Sequence, residues 1–149
     1  MSDFESKYAD FKGRITRCGV HEYGVGATTP FDTVVRADQP CHIHVEWEVS
    51  GIAVPVTVGT WHVDSYFESI GPGAEMNVYG PHHLMSLVPG QTKYATTIEI
   101  PAGRVPVEPN HSTPYKVVVT VVFQTPAGIP GPMAGFVELP VLQFYNATP

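Results

Sequence analysis

The stretch from His42 to Gly51, HIHVEWEVSG, decides how the rest of the chain is read. Taken two residues at a time, His42, His44, Glu46 and Glu48 fall on one face, and Ile43, Val45, Trp47 and Val49 on the other. That is the period of a β-strand with one wet side and one dry side. A dry side has to be buried against another layer, so the segment predicts a layered β protein. The wet side poses a chemical question, because imidazoles and carboxylates aimed in one direction are the materials of a metal site.

Moving outward, the same rhythm recurs at regular intervals: GRITRCGVHEYG, PFDTVVRA, CHIHVEWEV, GTWHVDSYFESIG, KYATTIEI, YKVVVTVVFQT and GFVELPVLQFY. Turn residues punctuate the runs, at Ser50-Gly51, Pro72-Gly73, Pro89-Gly90, Ala102-Gly103 and the G-I-P-G-P loop at 128–132. Seven short segments spaced in this way predict an all-β fold, an antiparallel two-sheet sandwich of about seven strands. The 149 residues fit one domain, 1–149, and a chain of that length buries roughly 68–70% of its unfolded surface without a staple. Charged residues are 15% of the chain, below the usual quarter, which argues against disorder and solvated helices. Fifteen prolines and fourteen glycines are spread along the chain, as in many short elements joined by turns. No self-similarity suggests a propeller or solenoid. At the N-terminus, residues 1–12, Phe4, Tyr8 and Phe11 follow a helical spacing and Ser2 with Glu5 could form a capping box, so a short helix is expected there.

In pattern, residues 13–145 resemble an immunoglobulin-like or fibronectin III-like sandwich. Trp47 or Trp61 stands as the core indole, and P-x-x-Y-K-V-V-V-T-V-V-F around Tyr115 is similar to the strand that begins at a tyrosine corner. The cysteine pair does not flank a core tryptophan as it does in antibody domains. The resemblance therefore implies a fold and no function.

The formal net charge of −6, with eight Lys and Arg, leaves no basic stripe for phosphates, so nucleic acid is not expected as a partner. No apolar run approaches a membrane span, and the opening MSDFESKYADFKGR lacks the apolar region of a secretory signal. A soluble, cytoplasmic protein is the expectation. Cys18 and Cys41 form no C-x-x-C motif and read as two buried free thiols. In the cytosol the sequons at Asn110 and Asn146 carry no meaning.

His42, His44 and Glu48 match the H-x-H-x-x-x-E half of the cupin metal motif. Arg36 and Pro55 stand where that motif wants glycines, however, and its second block is missing. The polar face of a one-sided strand is the preferred reading, and a cupin-like metal protein the alternative. His62 and Asp64 alternate with Trp61 and Val63 on the next strand. In a sandwich of this kind consecutive strands lie in opposite sheets, so the two polar sets point apart and cannot share an ion. His82, His83 and His111 are loop histidines without an acidic neighbour to prepare them as bases. Nucleophile elbow, H-E-x-x-H and P-loop patterns are all missing, and G-V-G-A-T-T at 24–29 lacks a third glycine. Neither an enzyme nor a bound cofactor is expected.

The segment 71–90, GPGAEMNVYGPHHLMSLVPG, is long for a connection. It reads as a functional loop, with Tyr79, His82 and His83 available to a small ligand or carbohydrate, or else as an extra strand. The strand Tyr115–Phe123 is apolar on both faces. Tyr115, Val117, Val119, Val121 and Phe123 form one side, and the other carries Val118 and Val122 where a solvated sheet would show charge. Something must cover that outer side: the chain's own loop, or a protein partner meeting Val118, Val122 and Tyr66 on the neighbouring strand, including a second copy in a homo-oligomer. Pro140 interrupts the last segment and should mark an edge, a bulge or a change of pairing.

Overall fold

The alternation in the sequence becomes two stacked sheets. The computed structural model describes residues 2–6, 10–22, 30–71, 76–77 and 83–147. In chain order the strands are β1 (Ser2–Asp3), β2 (Glu5–Ser6), β3 (Lys12–His21), β4 (Val34–Arg36), β5 (Cys41–Ser50), β6 (Gly59–Ser69), β7 (Met76–Asn77), β8 (His83–Leu87), β9 (Lys93–Ile100), β10 (Thr113–Gln124), β11 (Pro130–Glu138) and β12 (Leu142–Tyr145). A 3-10 turn, Val54–Val56, lies between β5 and β6. The first sheet runs β1-β3-β5-β9. The second is built on β10, with β6 on one side and β11 and β12 on the other; β7 and β8 flank β6, β2 flanks β11 and β4 flanks β12. The chain is thus an all-β two-sheet sandwich, antiparallel throughout except that β12 pairs β4 in parallel. Among the described residues no helix is long and apolar enough to cross a membrane.

Consecutive strands β5 and β6 belong to opposite sheets, and their indoles meet between the layers. Trp47 and Trp61 lie 5.9 Å apart at 75°, Tyr94 stacks on Trp47 at 5.5 Å and 9°, and Phe123 meets Trp61 edge-on at 6.1 Å. Among the described residues neither indole N–H has a hydrogen-bond acceptor, so packing holds this cluster. A second aromatic group, Phe67, Tyr115 and Phe144, fills the other end of the core, with centroids 5.5–6.2 Å apart. Val117, Val119, Val121, Ile43, Val45 and Ile98 pack between them, each fully buried.

At the N-terminus the chain is extended, not helical, over residues 2–6. β1 joins the first sheet, β2 joins the second, and Phe4 turns inward between them. A Cβ on Gly13 of β3 would come within 2.5 Å of the Phe4 ring and one on Gly135 of β11 within 2.2 Å, so the ring lies against bare backbone from both sheets. Burial of Phe4 overrides the helical spacing over these residues, while Tyr8 and its neighbours at 7 and 9 lie outside the described residues. In the segment 71–90 the extra-strand reading holds in part, since β8 pairs with β6 from Gly59 to Val63. Pro140 does divide the last segment: β11 and β12 both lie along β10, and the break between them lets β12 turn to β4.

Tyr115, at the start of β10, donates its hydroxyl to the Pro106 carbonyl at 2.5 Å and ties the preceding loop to the sheet. Its ring is 3% exposed, so the carbonyl has little recourse to water if the donor is removed. Tyr115→Phe is expected to cost about 1–2 kcal/mol, read as a lower urea midpoint with an unchanged slope.

Candidate functional site

Because side chains alternate along a strand, the inward set of each strand fixes its outward set. On the second sheet, with Trp61, Val63, Ser65 and Phe67 inside, β6 turns His62, Asp64, Tyr66 and Glu68 outward. The register then lays Val118 beside Tyr66 and Val122 beside His62. On the other side of β10, Thr120 faces Phe136 and Val122 faces Ala134, while Leu84 of β8 sits beside His62. One outer face thus gathers Tyr66, Val118 and Val122, as the sequence suggested, and adds Phe136 and Leu84. Tyr66 is 43% exposed, Phe136 57% and Leu84 57%, while Val118 and Val122 are half-buried. Lys116 Nζ lies 2.7 Å from Glu138 Oε1 at the end of the face that also carries Glu68, and Asp64 stands in the middle of the face, opposite Thr120. Asp64, on the same face, is 4% exposed, and His62 contacts Gln124 through Nε2.

Phe136 escaped the sequence reading because GFVEL is apolar at both Phe136 and Val137. Only pairing with β10 decides which of the two turns out. Leu84 lay in the segment with no legible alternation.

The outer face of the first sheet carries the histidines. His42 pairs across to Glu99 with Nε2–Oε2 at 3.7 Å, and His44 Nε2 lies 3.2 Å from Glu46 Oε2. β5 keeps an unbroken register against β9 from Cys41 to Glu48. Four residues of straight strand separate His44 from Glu48 by about 13 Å, too far for ligands of one ion. Among the described residues no group of three or more His, Cys, Asp and Glu side chains comes together as a metal site. His62 and Asp64 face away on the second sheet, as expected of consecutive strands in opposite layers.

The sequence reading also missed His21, the cross-strand neighbour of His42. It is 1% exposed, because Pro30–Asp32 folds over this face. The Phe31 ring lies 4.6 Å from the imidazole and occupies the space a Cβ on Gly19 would need, and the Arg17 guanidinium sits 4.5 Å above the same ring. Asp32 fixes the segment: its N–H donates to Val20 O at 2.8 Å and its carboxylate accepts from Glu22 N at 2.9 Å. Burial lowers the pKa of His21; Asp32 opposes that, while Arg17 and His44 add to it.

Cys18 and Cys41 are free and buried, and burial pushes both thiols up to about 12, leaving no thiolate for chemistry near neutral pH. Tyr79 and His82 lie outside the described residues; His83 Nε2 meets Thr96 Oγ1 at 2.6 Å. A depression of about 700 Å³ near β1 and β3 is lined by Lys12, Arg14 and Lys93 together with Asp3 and Glu48, a mixture of charge that favours no ligand class. Set against models of known protein families and against curated proteins, the chain matches neither a family nor a relative.

The buried His21 makes the first sheet sensitive to acid. An unfolded chain takes up the imidazole proton near the ordinary value of about 6.5, whereas the folded one does so only at lower pH. The unfolded state therefore binds more protons in that window, and stability is full above it and falls as pH drops through it. Thermal midpoints should decline as pH falls from neutral through the ordinary imidazole value of about 6.5, and His21→Leu should flatten the decline.

Proposed function

We propose that this protein is a non-catalytic interaction or structural module that buries the outer face of its second sheet against a protein surface. The observation that carries the reading is the grouping of Tyr66, Val118, Val122, Phe136 and Leu84 across four neighbouring strands, with Tyr66, Phe136 and Leu84 exposed. Exposed aromatic and aliphatic side chains grouped on one flat face favour docking, whereas scattered singly they need no explanation. The rest of the molecule supports a binding role over a catalytic one. Its thiols are inert, and His42 and His44 lie on one outer face, His62 on the other and His21 under Phe31. The partner surface is apolar protein, a second copy of this chain included.

The finer description of the fold is an immunoglobulin-like, fibronectin III-like sandwich. Two features support it: the long strands divide as β3-β5-β9 against β8-β6-β10-β11, and Tyr115 closes a tyrosine corner onto Pro106. Sandwiches of this kind are scaffolds whose faces and loops are available to partners, and the fold itself does not choose among them.

Light scattering and circular dichroism on the wild type and a Val118→Lys, Val122→Lys variant test the reading. The expected result is a folded, soluble variant that has lost an association made by the wild type. A variant that fails to fold would show that the chain itself covers this face, which overturns the proposal; a folded variant of unchanged mass removes its self-association form.

A further inference from the structure

Most sheet edges in this sandwich are closed. β3 is flanked by β1 at Arg14 and Ile15, carries a bulge at Thr16, and gives its Val20 carbonyl to Asp32. β2 lies on β11, and β4 lies on β12. The β8 edge is five residues long. β9 differs: it has eight residues, an unbroken register with β5, no proline inside it and no strand on its other side among the described residues. Natural sheets blunt such edges because unpaired N–H and C=O groups invite another strand.

The hydrogen-bonding sense of that edge follows from one contact. Val49 N–H donates to Thr92 O at 2.8 Å, and in an antiparallel ladder the bonding direction alternates. Tyr94, Thr96, Ile98 and Ile100 therefore commit their backbone groups to β5, while Lys93, Ala95, Thr97 and Glu99 direct theirs to the open side. Among those outward groups the Lys93 carbonyl accepts a hydrogen bond from the Gln91 side chain at 2.8 Å. Lys93, Ala95, Thr97 and Glu99 also place their side chains on the exposed face.

We propose that β9 pairs antiparallel with β9 of a second copy of this chain, centred on Thr96, joining the first sheets of two sandwiches into one. The occupant is chosen by self-complementarity. In this register Lys93 stands opposite the partner's Glu99 and Glu99 opposite the partner's Lys93, with Ala95 facing the partner's Thr97 between them. The parity also fits, because the four residues whose backbone groups point outward meet one another, each pair exchanging two hydrogen bonds. A shift by one residue loses both the bonds and the charge match. The Lys93 ammonium makes no ion pair among the described residues, and the Glu99 side chain is 66% exposed, at 3.7 Å from His42. The contact is isologous and closes as a dimer. Its two-fold axis is perpendicular to the joined sheet, so the second sheets of both copies lie on the same side. This seam is separate from the face of Tyr66, Val118 and Val122.

Sedimentation of the purified chain over a broad concentration series, with circular dichroism to confirm folding, tests the seam. The wild type should dimerise. Thr97→Pro removes an N–H that does not serve β5 and should give a folded monomer. Lys93→Glu or Glu99→Lys each places like charges opposite one another twice, and should weaken the dimer about tenfold. The double variant Lys93→Glu, Glu99→Lys restores opposite pairs and should recover most of the affinity, a rescue no merely structural role of these residues would produce. Val118→Lys, Val122→Lys removes only association through the second sheet and should still give the β9 dimer. A wild type that stays monomeric, a dimer indifferent to the β9 changes, a charge swap without rescue, or a dimer lost through Val118→Lys, Val122→Lys would each overturn the proposal.

Discussion

The contact between Trp47 and Trp61 across the core is the constraint from which the surfaces of this protein follow. Each indole is held on the inner side of its strand, and because the side-chain period of a strand is two, that choice sets the direction of every neighbour on β5 and β6. With Trp47 inside, His42, His44, Glu46 and Glu48 face water on one side of the molecule. With Trp61 inside, His62, Asp64 and Tyr66 face out on the opposite side, and the ladder to β10 carries the same parity to Val118 and Val122. A slip of one residue on either strand would move a tryptophan and its valine neighbours into water and histidines and carboxylates into the core, at a cost of several side chains' burial. The polar and apolar outer faces are thus consequences of core packing before they are sites.

How the sandwich is closed explains why its sides differ. Along one side the N-terminal segment crosses from the first sheet to the second, and Phe4 packs between the bare backbones at Gly13 and Gly135. Along the other, β9 and β8 are linked by side chains, Thr96 to His83 and the Tyr94 hydroxyl to both the N–H and the carbonyl of Val88. Side-chain ties hold the layers together without using the outward backbone groups of β9. The same economy that closes the core therefore leaves one edge able to add a strand.

The histidine-bearing face shows how a pattern that suggests chemistry can serve structure. Segment 30–32 folds over β3, places Phe31 on Gly19 and His21, and is held by Asp32. His21 is buried neutral by this cover, and His44 and His42 are left with carboxylates as cross-strand or same-strand neighbours. An imidazole set that looks convergent in one dimension is dispersed by straight-strand geometry.

The sequence by itself determined the class of fold, the inward and outward residues of β5, β6 and β10, the burial of Cys18 and Cys41 and the break at Pro140. Each rests on local period or on a residue with a fixed backbone demand, and such features do not depend on which strand lies next door. It also located Tyr66, Val118 and Val122 on one face, because β10 is apolar on both sides. Tertiary structure alone decided that Phe4 turns inward between two short strands and not along a helix, that β12 runs parallel to β4, that Phe136 and Leu84 join the outer face, and that His21 lies beneath Phe31. These depend on pairing between residues distant in sequence, where a run such as GFVEL fits either parity and a glycine such as Gly19 gives no sign of the ring that will cover it.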